Sequence, residues 1–595
     1  MLISKFSRPF ILRLLSVAVS AAWISTAAAQ ETPSTQAVNN PDEALDRAIA
    51  NEARLIKKLK TMEPVVETYI QQMQRDEDLG SIPKTDNYFL GKLDLSAQVT
   101  DDSFIPAPGF FQRSIGVFTH FFSPEFLPRG FAQMVVMDED GFDHNHYTFQ
   151  YVRREFLGDV RTLVYDVFPQ KSAGHGRFIG RIWVEDQDYN VVRFNGTYGP
   201  SSMRTRYTHF DSWRVNCGPN LWLPSYVYTE EGSMPVNSGI RHVAFKAQTR
   251  LWSYQSKKER RTEEFTNMTV DTSQGVNDKS DQASDTSPVE AQRLWERQAE
   301  DNILERLQDA GLIAPPGDVD KILTTVLTNL EITNNVSVTP EMRARVMLTT
   351  PMESVYVGHT ILVSRGLLDV LPDEATLAAV IAHEFAHVLL GHQLDTKYAF
   401  TDRLFFRDDQ TLQRMDLART EREEDAADEK AIEMLKKSPY ADKLPKAGLF
   451  LKMLSARGDE LPHLIRPLIG NRMAASGKDL RMADLMDLAP PLEVDRIDQV
   501  SALPLGSRVR MDPWNDHLSL MKTRNVALLS PREKYPFEIT PFMLHLTRES
   551  DANSNEGAAN GGPSSPSGQA PASQVDSGAQ PAAAARAARN TAPPR

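Results

Sequence analysis

The residues best suited to chemistry stand together in Ala382-His383-Glu384-Phe385-Ala386-His387-Val388. Two histidines four positions apart fall about 40° apart on a helix that turns 100° per residue. Their imidazoles can therefore address one metal ion, with Glu384 beside them to act on a metal-activated water. Zinc lowers the pKa of such a water toward ~7, where a carboxylate can take its proton. An apolar helix has no reason to bury a glutamate between two histidines unless its charge has a partner. The expected chemistry is metal-assisted hydrolysis with one zinc ion per chain.

A third protein ligand is needed to leave one open position on zinc. The extended pattern with a third histidine fails, because position 390 is Leu and position 393 is Gln. His392 comes one residue early and reads as a packing residue or a support for a ligand. The other solution is an acid from a second helix. Glu421 to Leu435 offers Ala427, Ala431, Met434 and Leu435 as a buried face, with Glu424 and Asp428 four apart beside it. Glu424 can reach the metal, and Asp428 can hold a ligand histidine by its second nitrogen. Glu421 and Asp425 share that spacing but lean to the polar side.

Together these residues resemble the CaaX prenyl protease/HtpX-type zinc metallopeptidase family. The motifs are Val380-Ile-Ala-His-Glu-Phe-Ala-His-Val-Leu-Leu-Gly-His392 and then Glu424-x-x-Ala427-Asp428-x-x-Ala431. The lead-in Gly358-His-Thr-Ile-Leu-Val-Ser-Arg-Gly366, followed by Asp373 to Val380, is similar too. The resemblance spans about Leu294 to Met521. It implies a zincin-like fold with His383, His387 and Glu424 as zinc ligands, Glu384 as general base and Asp428 as the support of a ligand. Without spanning helices, the chain is similar to the soluble periplasmic BepA-like members. It departs from the family at Pro490, where a histidine is common; proline can neither donate a hydrogen bond nor bind metal. His463 or His517 could replace that group. Arg496 is retained; it reads either as a group that stabilises an oxyanion or as a partner in a surface ion pair. An extended substrate is expected to pair along the edge formed by Val346, Met347, Leu348, Thr349 and Thr350.

The elements around this centre read as a multidomain α+β chain. Lys5, Arg8 and Arg13, a short apolar run and Thr26 to Gln30 have the layout of a signal peptide over residues 1–29. Residues 30–62 form a helical lead-in, starting at Asn40-Pro41. Period-two runs from about Phe110 to Tyr254 predict short strands, including Phe131–Met137, with turns at Leu157-Gly158-Asp159 and Asp186-Gln187-Asp188. They place an antiparallel β-domain, a curved sheet or open barrel, over 63–270. Residues 271–292 are a linker by composition, 293–546 a mainly α-helical zinc metallopeptidase domain, and 547–595 a disordered low-complexity tail.

Composition narrows the partners. The 595 residues carry 66 Lys+Arg against 79 Asp+Glu, a net charge of −13, which disfavours nucleic acid. The single Cys217 excludes a disulfide framework or a cysteine-rich metal site. The expected location is the periplasm, with secretion as the alternative, and no transmembrane span in the mature chain. The partners are protein or peptide substrates. The run from Tyr165 through Trp222-Leu-Pro224 faintly resembles LolA/LolB-like lipoprotein-sorting domains, which implies a lipid or lipoprotein at the β-domain. Two functions follow: an exported zinc endopeptidase, or a lipid- or lipoprotein-binding chaperone with a latent metal domain.

Overall fold

The computed structural model describes residues 40–77, 80–95, 100–104, 128–200, 207–236, 241–254, 288–394, 396–397, 399–400, 411–412, 414–415, 417, 419–465, 471–472, 482–493, 499–506, 508–521 and 537–548. The expected signal peptide, residues 271–287 of the linker, Arg496 and nearly all of the tail lie outside them.

An antiparallel β-sheet domain is followed by a mainly α-helical region. Ten described strands form the sheet: β1 Val65–Asp76, β2 Gly80–Asp94, β3 Thr100–Ser103, β4 Tyr147–Leu157, β5 Val160–Pro169, β6 Arg177–Glu185, β7 Val191–Gly199, β8 Phe210–Asn216, β9 Trp222–Val236 and β10 Arg241–Trp252. Their order is β3-β2-β1-β10-β9-β8-β7-β6-β5-β4, so β3 and β4 are edges and the sheet does not close into a barrel. Strands β1 to β3 precede the period-two region anticipated from sequence. Strand β1 is buried on both sides and carries Glu67, Thr68 and Gln71 in its interior, which blurs the alternation that marks a half-exposed strand.

Helix α1, Pro41–Leu59, covers one face of the sheet. Asn40 caps it by accepting from Asp42 N, and Pro41 supplies a helix-ready φ at its first position. Ala44, Leu45 and Ala48 pack on that face in one core with Leu163, Ile182 and Phe194. Within this core Glu52 takes both Arg214 amino groups, at 2.6 and 2.7 Å. The expected strand Phe131–Met137 is instead the end of helix α2, Pro128–Gln133, and a turn. A short apolar run fits either geometry, and here all but Gln133 are buried in the same core.

The sheet's other face has two tenants. Trp183, Trp213 and Trp222 pack with Leu544 and Leu546 of the chain's C-terminal segment. Arg193 lies between the rings of Trp183 and Trp213, 4.3 and 4.4 Å from their centroids. Asp159 N donates to Leu546 O at 2.9 Å, and Arg548 pairs with Glu185 at 2.7 Å. Residues 537–548 thus lie on the front sheet. The second tenant is the helical region. Alternation along β1 sends Val65, Glu67 and Tyr69 to this side and Val66 and Ile70 to the α1 side.

The helical region contains α3 Pro288–Asp309, α4 Asp318–Asn334, α5 Arg365–Val370, α6 Glu374–Leu390, α7 Glu421–Lys436 and α8 Leu444–Arg457. It also holds a four-stranded sheet of β11 Arg343–Met347, β12 Glu353–Val357, β13 Thr360–Ser364 and β14 Asn471–Arg472, in the order β11-β13-β12-β14. The hairpin β15 Val509–Met511 and β16 Leu518–Leu520 follows. Val65, Tyr69, Tyr88 and Trp252 of the front sheet share one apolar core with α3 to α8. Polar contacts reinforce that junction. Glu67 accepts from Thr350 N at 2.5 Å, Arg365 at 2.8 Å and Tyr88 at 2.8 Å. Gly366 is required beside them, because a Cβ there would lie 1.7 Å from Thr350 O. No helix among the described residues is long and apolar enough to cross a membrane.

Candidate metal centre

Helix α6 carries the His-Glu-x-x-His residues. Asp373 caps it by accepting from Thr376 N at 2.9 Å, and Gly391, at φ +71°, ends it in the left-handed turn that glycine tolerates. Residues Ala375 to His387 are all buried, as an all-round apolar helix must be. Helix α7 packs against it. Thr420 and Glu423 form a reciprocal capping box, which fixes where α7 begins and turns Glu424, Ala427, Asp428 and Ala431 inward. Glu421 and Asp425 are exposed.

Three ligand atoms converge between these helices. His383 Nε2 lies 3.1 Å from His387 Nε2 and 3.2 Å from Glu424 Oε2, and His387 Nε2 lies 3.6 Å from Glu424 Oε2. Ligands about 2.0–2.1 Å from a tetrahedral zinc stand about 3.3–3.4 Å from one another, so the residues fit that ion. Among the described residues, this is the cluster able to hold a metal.

The far sides of the ligands are held. His383 Nδ1 lies 2.8 Å from Asp428 Oδ1, and Met482 N donates to Asp428 Oδ2 at 2.7 Å. His387 Nδ1 lies 2.8 Å from His392 Nδ1. Burial, with His387 beside it, lowers the His392 pKa, so His392 is neutral at neutral pH and can accept that bond. These partners leave both Nε2 atoms facing Glu424.

Glu384 is fully buried. Its Oε1 accepts from Ser354 Oγ at 2.6 Å, while its Oε2 has no hydrogen-bond partner among the described residues. The Tyr356 ring stacks on His387, 6.1 Å between centroids, and the Arg419 guanidinium lies 4.4 Å from the Tyr356 centroid. Burial pushes the Tyr356 hydroxyl up to about 12, so it is un-ionised. Ser354 and Tyr356 escaped the sequence reading. Their signal was the two-residue spacing inside a strand, which gains meaning only once β12 is known to lie against α6.

The expected substrate edge at Val346 to Thr350 is corrected by the structure. Strand β11 stands at the end of its sheet, but Ala314 N donates to Val346 O and Leu348 N donates to Leu312 O. Thr350 N is taken by Glu67, and all five residues are buried. The chain's own backbone therefore fills that edge. His463 N bonds Asp86 of β2, and His517 sits in the turn before β16; neither joins the converging ligands. Pro490 O accepts from Lys452 Nζ at 3.3 Å.

Residues 352–447 match the model of Peptidase family M48. No curated protein matches the chain. Among solved structures, it is similar to a domain from Vibrio parahaemolyticus described as an outer membrane lipoprotein-sorting protein. That similarity has 10% identity and a TM-score of 0.20, and covers 37% of this chain and 94% of the other. The helical region thus carries a zinc-metallopeptidase-like domain with a His-Glu-x-x-His-plus-Glu active site.

Proposed function

We propose that the protein is an exported zinc endopeptidase of the cell envelope, acting in the periplasm on envelope or misfolded proteins. The observation that carries this reading is the convergence of His383, His387 and Glu424 beside a buried glutamate with one oxygen unpartnered among the described residues. The signal-peptide layout of residues 1–29 supports the location.

His383, His387 and Glu424 would hold the ion, which when bound polarises the scissile carbonyl and lowers the pKa of the attacking water. Glu384 Oε2 takes the proton from that water and returns it to the leaving amine. Asp428 and His392 keep the two imidazoles turned inward. Arg496 is assigned to the developing oxyanion. The extended substrate adds to β12, whose outer side pairs among the described residues only at Glu353 and Ser354, with β14. The front sheet binds the substrate protein or docks on an envelope partner; its α1 face is filled by side chains of α1 and α2 among the described residues.

The test is β-casein cleavage with and without a chelator, for wild type and Glu384→Gln, together with zinc content. Chelator-sensitive cleavage by wild type, and its loss in a variant that keeps zinc, supports the reading. Undiminished cleavage by Glu384→Gln sinks it.

A further inference from the structure

We propose that Ser354 is a positioning residue for Glu384, holding one carboxylate oxygen so that the other faces the reaction; this rests on the peptidase reading above. On β12, residues two apart share a side. Ser354 and Tyr356 therefore both face α6, where Glu384 and His387, three apart, share a helix face. The two pairs are in register: Ser354 Oγ donates to Glu384 Oε1 at 2.6 Å, and Tyr356 stacks on His387. Here the Ser354 hydroxyl is the donor and Glu384 Oε1 the acceptor, at the short end of O–H···O distances.

This bond makes the two oxygens of Glu384 inequivalent. Oε1 is engaged by the strand, whereas Oε2, also buried, has no partner among the described residues. A glutamate without such a tether can turn about its side-chain torsions and take Oε2 away from the water it must deprotonate. The tether itself is anchored. The neighbouring Glu353 accepts from Thr349 Oγ at 2.9 Å, and its backbone N donates to Ser364 Oγ at 3.2 Å. Thr350 is in turn pinned by Glu67 of the front sheet. Ser354 thus conveys the fixed position of β12 to the catalytic carboxylate.

The experiment compares zinc-loaded wild type, Ser354→Ala and Ser354→Thr, with Glu384→Gln as the reference, in hydrolysis of β-casein. Misplacement of a reacting group by about 1 Å costs up to ~100-fold. Ser354→Ala should lower kcat by about 10–100-fold with KM within about twofold and one zinc per chain retained. Ser354→Thr, which keeps the hydroxyl, should recover most of that loss. A kcat for Ser354→Ala within about twofold of wild type overturns the proposal, as does a loss that tracks zinc content. Crystal structures of wild type and Ser354→Ala give an activity-independent reading: an unchanged Glu384 carboxylate orientation also overturns it. The peptidase reading fails separately, through an inactive wild type or an active Glu384→Gln.

Discussion

Glu67 of β1 and Arg365 of α5 form an ion pair of 2.8 Å in which neither side chain is more than 2% exposed. The pair joins the front sheet to helix α5, which immediately precedes the metal-bearing helix α6. Removing one partner of such a pair leaves a buried charge and costs about 3–5 kcal/mol. Asp369, 3.5 Å from Arg365, stays to soften the loss. Glu67→Ala should lower the denaturation midpoint, and front-sheet tryptophan fluorescence and far-UV dichroism should report one shared transition. Two transitions in wild type would show that the halves unfold independently.

In the proposed zinc site, ligand and support are separate residues. Glu424→Ala removes a ligand atom and should abolish stoichiometric zinc binding. Asp428→Ala removes the group behind His383 and should weaken zinc by about 10–100-fold without abolishing it. Competition with a chromophoric chelator measures both, and equal losses would contradict the different roles given to the two acids.

Asp516 accepts from Ser253 N at 2.7 Å across the junction of the two halves. Burial, aided by Asp512 and opposed by that bond, pushes its pKa up to about 7. An unfolded aspartate titrates near ~3.9. The folded state therefore holds a proton that the unfolded state has released between about pH 4 and 7, and this group's contribution to stability falls as pH rises through that window. Asp516→Asn keeps an acceptor for Ser253 and removes the titration. The urea midpoint of wild type minus that of the variant should be higher at pH 5 than at pH 8, and a constant difference would refute the assignment.

The Glu52–Arg214 pair, 1% exposed on both sides, ties α1 to β8. Glu52→Ala should destabilise by about 3–5 kcal/mol in chemical denaturation, whereas Glu52→Met with Arg214→Leu should come close to wild type, because both desolvated charges leave together. If the double variant is no better than the single one, the pair matters through shape and not charge.

The His-Glu-x-x-His helix was legible because its signal is local: His383 and His387 are one turn apart, and Asp373 and Gly391 bound the helix between two caps. Glu424 and Asp428 were legible one step further, through the alanines that mark the inward face of α7. What stayed hidden depends on contacts between distant segments. A serine in a β-run has no stated role until α6 lies against it, so Ser354 gave no warning. Val346 to Thr350 read as an open edge because nothing local says that Leu312 and Ala314 return to pair with it. Phe131 to Met137 read as a strand because seven residues are too few to separate a period of two from one of 3.6 when almost every position is apolar.

The C-terminal segment 537–548 closes the tryptophan-bearing face of the front sheet, more than three hundred residues after the strands it covers were made. During synthesis these residues follow the strands they cover, so they cannot shield that face until they are made. A chain stopped short of residue 537 would lack Phe542, Leu544 and Leu546 and leave Trp183, Trp213 and Trp222 more exposed. Residues 537–548 thus bury an apolar patch that would otherwise favour association between chains.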